Sequence, residues 1–166
     1  LEVAHASAHD CRRHGDGLVR GGENAARRAG ELLFQQRNYD RAYAVYEPLL
    51  ASTDDADMYG AAILALWRQN RPQDARKLGS SFVQEFPTAS VWVQRFRLEE
   101  GQLLLAAGKF DQARDLFNDI EEDAGPLAYA GAFFAATALW QENQLSPSPE
   151  LGAKALELQL QFLKAY

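Results

Sequence analysis

Apolar and small residues recur along the chain with helical spacing, and the pattern is repeated three times. Ala42, Ala75 and Ala113 occupy the same place in three similar segments, 33 and 38 residues apart. Three residues before each alanine there is a ring, nine residues before there is a leucine, and seven residues after there is a large apolar residue. These positions are Leu33, Tyr39 and Leu49, then Leu66, Pro72 and Phe82, then Leu104, Phe110 and Ile120. Because such spacing places apolar residues on one face of a helix, the pattern predicts amphipathic helices.

Each repeat is predicted to fold as two antiparallel helices joined by a short turn. The alanines, with a glycine twelve residues earlier in two of the three repeats, would let the two helices approach closely. The turns are predicted at the segments QRN, QNR and AGK, directly before the ring positions. Pro72 suits the first turn of a helix because its missing N–H is not needed there. Asp54 and Thr88 are predicted helix N-caps.

The helical pattern extends beyond the three repeats. Pro126 opens a segment with small residues at helical spacing, and the linker LSPSP then breaks the helix. The apolar stripe from Glu150 to Tyr166 predicts a closing helix, which would cap the array. Residues 1–22 form a separate N-terminal segment, which could be half of a preceding hairpin followed by a loop at GDGLVRGG.

The repeated pattern resembles the tetratricopeptide repeat family over roughly residues 23–125. The resemblance implies an all-α fold, a right-handed superhelical solenoid of antiparallel helix hairpins with a C-terminal capping helix. The tryptophan usual near the start of each repeat is replaced by Ala26, Tyr59 and Arg97. The expected repeats, the last of them degenerate, span about 23–54, 56–87, 88–125 and 126–166.

Composition narrows the classes of function. The chain is 47% apolar and 24% charged, as in soluble globular proteins, and no apolar run approaches the roughly 18 residues of a membrane span. The net charge of −6 argues against a general nucleic-acid binder, which needs a basic surface. With Cys11 as the single cysteine, no disulfide can form within the chain, and the compartment stays open. The chain begins at Leu1, so we expect a fragment or a processed form.

The N-terminal segment contains the strongest candidate for chemistry, a cluster of His5, His9, Cys11 and His14. His5 and His9 would share one face of a helix, at a spacing that metal ligands use. The histidines could also serve Cys11 as a base. A polar helix end is the favoured interpretation, because no second cluster completes a metal site. No phosphate loop, nucleophile elbow, HExxH or CxxC motif is present, so we expect no enzyme, no bound metal and no cofactor.

The resemblance implies a groove for a partner, because in this family the first helix of each hairpin lines a concave surface. The expected ligand is another protein or a peptide segment, with the chain acting as an adaptor, scaffold or chaperone. Glu31 beside Arg27 would repel a peptide carboxylate, so the carboxylate clamp of some family members is not expected. The groove positions carried over are Arg27, Glu31 and Phe34 in the first repeat, Leu64, Trp67 and Arg68 in the second, and Arg95, Leu98, Gln102 and Leu105 in the third.

Alternatives to the groove remain open. Aromatic and arginine side chains are typical of interface hot spots, but the aromatic ones could instead pack between repeats. The module could also be a structural segment of a larger solenoid, for instance in a bacterial secretion or envelope-assembly protein. An exposed apolar end would favour that hypothesis, and two polar ends would count against it. A weaker alternative is a metal-binding or enzymatic role of the N-terminal histidine and cysteine cluster.

Overall fold

The computed structural model describes residues 8–165, and side chains from Gly22 onward. All regular elements in this part of the chain are helical, and consecutive helices of the N-terminal hairpin and of residues 90–165 pack on each other, which confirms the predicted all-α helical-repeat fold. The α-helices are α1 (Ala8–Gln35), α2 (Tyr39–Tyr46), α3 (Ala56–Arg68), α4 (Pro72–Glu85), α5 (Ser90–Ala106), α6 (Phe110–Glu122), α7 (Ala128–Leu145) and α8 (Pro149–Ala165). A 3-10 turn at Glu47–Leu49 follows α2.

Contacts between Cα atoms divide the chain into two compact units, with the boundary inside α3. The first unit ends at Ala65 and contains α1, α2 and most of α3. The second unit begins at Leu66 and contains the end of α3 and the helices α4 to α8. Within the second unit, α5 packs on α6, α6 on α7, and α7 on α8.

The turns at the three predicted places share one backbone geometry. Arg37, Asn70 and Gly108 all have positive φ, at 59°, 57° and 73°, and each lies five residues before its repeat's alanine. Glycine and asparagine accept this conformation readily, whereas a side chain such as that of Arg37 costs roughly 1 kcal/mol there. The same pair of backbone hydrogen bonds closes each turn, one spanning three residues and one spanning five. The bonds that span five residues run from Asn38 N–H to Leu33 O, Arg71 N–H to Leu66 O, and Lys109 N–H to Leu104 O. The second helix therefore begins at the predicted ring in every case.

Two glycines allow the close approach that the sequence predicted. A Cβ atom at Gly30 would lie 2.2 Å from Cζ of Tyr46, and one at Gly101 would lie 2.4 Å from Cε1 of Phe117. Both rings are completely buried. Burial raises the pKa of Tyr46 to about 12, and its hydroxyl has no hydrogen-bond partner among the described residues. It is therefore the ring of Tyr46, rather than its hydroxyl, that stabilises this contact.

The loop predicted at GDGLVRGG is wrong, because α1 continues through residues 15–22 as one helix. Glycine weakens a helix interior by about 1 kcal/mol per residue, but it retains the backbone N–H that the next turn of helix uses. No proline interrupts the segment. The predicted boundary between residues 22 and 23 thus falls inside a helix.

Both predicted N-caps are also wrong. Asp55, not Asp54, caps α3, and its Oδ1 accepts hydrogen bonds from the N–H groups of Asp57 and Met58 at 2.9 and 3.1 Å. The helix α5 begins at Ser90 without any side-chain cap, so Thr88 has no such role.

The fourth hairpin, α7 and α8, closes by a different turn. The N–H of Ser148 donates to Oδ1 of Asn143 at 2.9 Å, and none of the residues between α7 and α8 has positive φ. Gly131 brings α7 against the backbone of α6, since a Cβ there would lie 2.5 Å from the carbonyl oxygen of Phe117. Phe117 and Ile120 of α6 and Ala135 of α7 belong to one buried cluster between α6 and α7.

Candidate protein-binding groove

In the first unit, the predicted groove residues of α1 are engaged in local contacts. Nε of Arg27 lies 3.2 Å from Oε1 of Glu31, and Nη1 of Arg27 lies 3.4 Å from Oδ2 of Asp55. Phe34 is half-buried and meets Tyr39 edge-to-face, with ring centres 5.0 Å apart. Two carboxylates therefore neutralise Arg27, which supports the expectation that it does not clamp a peptide carboxylate.

The predicted residues of α3 differ in exposure. Leu64, in the first unit, is half-buried. Trp67, in the second unit, is only 3% exposed, and its indole N–H has no partner in the described part of the chain. The guanidinium carbon of Arg76 lies 5.8 Å from the centre of the Trp67 ring. For Trp67, the alternative that the aromatic ring packs inside the protein therefore describes the structure better than a ring presented to a partner.

Ion pairs of arginine link parts of the second unit that are far apart in the sequence. Each of four arginines pairs with a carboxylate 24 to 31 residues further along the chain. The pairs are Arg68 with Glu99 at 2.5 Å, Arg76 with Glu100 at 2.7 Å, Arg97 with Asp123 at 2.6 Å, and Arg114 with Glu142. The guanidinium group suits such bridges because its donors are fixed in a plane. The predicted groove residue Arg68 is therefore already engaged.

One stripe of α5 contains the predicted residues Arg95, which is exposed, and Gln102, which is half-buried, with Glu99 between them. Their spacing of four and three residues places them on one face of the helix. Arg95 forms no ion pair with any side chain that the structure describes, and its guanidinium carbon lies 4.8 Å from the centre of the Trp92 ring. Glu99 was not among the predicted groove residues, although its spacing from Arg95 could have indicated it. Leu98 is half-buried against the core cluster.

Glu99 is an unusual carboxylate for a helix surface, because its side chain is only 14% exposed. Burial raises the pKa of Glu99, and the charge and hydrogen bond of Arg68 lower it by less. The ion pair therefore does not fully compensate for the loss of water around the carboxylate.

The raised pKa of Glu99 predicts a pH dependence of stability. The folded chain binds this proton more tightly than the unfolded chain, so the contribution of Glu99 to stability falls as the pH rises through the range in which it ionises. Relative to Glu99→Gln, which does not titrate, the wild type should lose unfolding free energy between about pH 4 and pH 7. Urea unfolding of both chains across this range measures the difference. A difference that stays constant, or that changes in the opposite direction, would contradict the prediction.

A cleft of about 340 Å³ lies between the C-terminal ends of α5 and α7. Leu105, Phe110 and Leu145 supply its apolar walls, and Gln141 and Gln144 supply amide groups. Leu105 was predicted as a groove residue, whereas the two glutamines were not, because the repeat pattern is degenerate in the fourth hairpin and groove positions could not be assigned there. Leu145 is 73% exposed, so the cleft is open to a ligand.

The candidate metal cluster cannot be placed. His5 lies outside the described residues, and the side chains of His9, Cys11 and His14 lie outside them as well, although their backbone belongs to α1. Where the structure is described, no three His, Cys, Asp or Glu residues are grouped so that they could hold a metal ion. In the same part of the chain, none of the helices combines the length and apolar character that crossing a membrane requires.

The repeated hairpins define a helical-repeat protein, and a comparison with protein families identifies the family of the repeats. The family described as tetratricopeptide repeat matches residues 27–90 and 98–159, which together are more than half of the chain. The chain belongs to the tetratricopeptide repeat family. Repeats of this family generally mediate protein–protein interaction and are typically not enzymes. The comparisons with curated proteins and with solved structures found no match.

Proposed function

We propose that the chain is an adaptor, scaffold or chaperone, without catalytic activity, that binds a partner segment along the first helices of its hairpins. The observation that carries the proposal is the α5 stripe of Arg95, Glu99 and Gln102, which leads toward the cleft at Leu105. An available cation, polar side chains and an open apolar cleft on adjoining turns are what a peptide ligand requires. Arg27, Glu31, Phe34 and Leu64 of the first unit stay predicted groove residues.

The arrangement indicates the chemistry of the partner. Arg95, supported by the Trp92 ring, is suited to an acidic side chain. The cleft is suited to a large apolar side chain, and the amides of Gln141 and Gln144 are suited to peptide groups beside it. Arg95 and Leu105 are ten residues apart on one helix, which is about 15 Å. An extended peptide covers that distance in roughly four to five residues, so we expect an acidic and an apolar residue at that separation.

A peptide selection tests the proposal. Random peptides selected on the chain should be enriched in an acidic and an apolar residue roughly four to five positions apart. Arg95→Glu and Leu145→Glu should each weaken binding of a selected peptide at least about tenfold, equivalent to about 1.4 kcal/mol. The matched controls are Lys77→Glu and Val83→Glu, which replace an exposed basic and an exposed apolar residue on α4. Both controls should bind the peptide as the wild type does. Titration by fluorescence anisotropy measures all five affinities.

The proposal fails if the selected peptides bind Arg95→Glu and Leu145→Glu as tightly as the wild type. It also fails if the α4 controls lose as much affinity as the groove variants. Circular dichroism of each variant ensures that the comparison is made between folded chains.

A further inference from the structure

The outer side of the fourth hairpin carries exposed apolar residues. Tyr129, Phe133 and Trp140 on α7 and Leu156, Leu160 and Leu163 on α8 are 47 to 73% exposed. We call these six residues the α7–α8 face. A cleft of about 230 Å³ lies within it, and Phe133, Phe162 and Leu163 line its apolar part. A hairpin whose outer side faced only water would be expected to be polar there.

We propose that two copies of the chain associate through the α7–α8 face in a two-fold symmetric dimer. A two-fold interface requires a surface that complements itself, so that residue i meets residue j and j meets i. The α7–α8 face has this property, as the register of its two helices shows.

Two contacts fix the register of α7 against α8. The rings of Phe133 and Phe162 have centres 5.7 Å apart, and a Cβ at Gly152 would lie 3.3 Å from Nδ2 of Asn143. Because the helices run antiparallel, Ala136–Thr137 on α7 lies at the level of Leu158–Gln159 on α8.

A two-fold axis that lies in the plane of the interface, perpendicular to both helices, and crosses them at that level would pair the exposed residues of the two copies. Phe133 and Trp140 lie equally far from the middle of α7, so Phe133 of one copy meets Trp140 of the second. The same axis places Leu156 of one copy between Leu160 and Leu163 of the second. Trp140 of the second copy would thus cover the cleft beside Phe133, and aromatic pairs of this kind add to the energy of burial.

The size and charge of the face also suit a second copy. Six large side chains that are each about half exposed present roughly 100 Å² each, so two copies would bury roughly 1,200 Å², the lower end of the range for stable interfaces. None of the six residues is charged, and none of the residues lining the cleft is charged. Although each chain carries a net charge of −6, these residues themselves would therefore bring no like charges together.

Light scattering of the purified chain over a wide range of concentration tests the proposal. We expect the mass to rise to twice 18.5 kDa, and to stay at 18.5 kDa for Trp140→Glu and for Leu160→Glu. Val83→Glu, an exposed apolar residue on α4, is the matched control and should dimerise as the wild type does. A monomeric wild type would overturn the proposal and leave the face for a further repeat or another protein. A dimer that survives both variants would overturn it too.

Oxidative cross-linking gives a second readout, which does not use variants that could lose the dimer by destabilising the fold. In the Cys11→Ser background, Thr137→Cys would lie close to the two-fold axis and should form a disulfide between two copies. Gln112→Cys, an exposed position on α6, should not. Cross-linking at position 112 and not at 137 would overturn the proposed interface.

Discussion

Replacing Phe117 by alanine is expected to lower the free energy of unfolding by about 3–5 kcal/mol, through lost burial and the cavity left behind. Phe117 is fully buried and stacks on Phe134, with ring centres 5.4 Å apart. Its ring fills the space left by Gly101, and its carbonyl oxygen lies against Gly131. One side chain on α6 therefore contacts both α5 and α7.

Phe117→Leu is the matched variant, because it keeps an apolar side chain at the same place. We expect a smaller loss, about 1–2 kcal/mol. Urea unfolding followed by circular dichroism, at one protein concentration, measures both. A loss below about 1 kcal/mol for Phe117→Ala would contradict the account of the core, since a residue at that position should not be easily replaced.

Replacing Gly131 by alanine is expected to destabilise the chain by about 1–3 kcal/mol, even though alanine favours a helix over glycine by about 1 kcal/mol. The added Cβ would lie 2.5 Å from the carbonyl oxygen of Phe117 and 2.9 Å from the backbone nitrogen of Glu121. Both atoms belong to the backbone of α6, which cannot rotate away as a side chain can. The helices α6 and α7 would have to move apart along their contact.

Gly22→Ala is the control for this change, because a Cβ at Gly22 would meet nothing within 4 Å. This exposed glycine lies in α1, so alanine should raise the free energy of unfolding by about 0.5–1 kcal/mol. The two glycine variants are therefore expected to have opposite signs in the same unfolding experiment. Equal stabilisation by both would show that α6 and α7 are not in close contact at Gly131.

The sequence was sufficient for the hairpins because each rests on local patterns. The second helices begin at Tyr39, Pro72 and Phe110 as predicted, since the residues before them close similar turns. The errors also have local causes. The glycines of residues 15–22 were predicted to form a loop, but they only weaken α1 and do not end it. The choice between Asp54 and Asp55 as the cap of α3 depends on single hydrogen bonds that composition does not reveal.

The candidate site was harder to predict, because its character depends on partners far away in the chain. Arg68 and Arg95 are equivalent as arginines, but Glu99 engages the first while the second lies over a tryptophan ring. Trp67 is buried by packing that its place in the repeat does not specify. Glu99 could have been found from helical spacing, whereas Gln144 lies in a hairpin whose repeat motif is degenerate.

Site-specific photo-cross-linking tests the proposed groove most directly. A photoreactive amino acid replaces Gln102 on the α5 stripe in one chain and Gln112, exposed on α6, in a second. With a peptide selected on the wild type, the account predicts cross-links from position 102 and none from position 112. Cross-links from position 112 without any from position 102 would contradict binding in the groove.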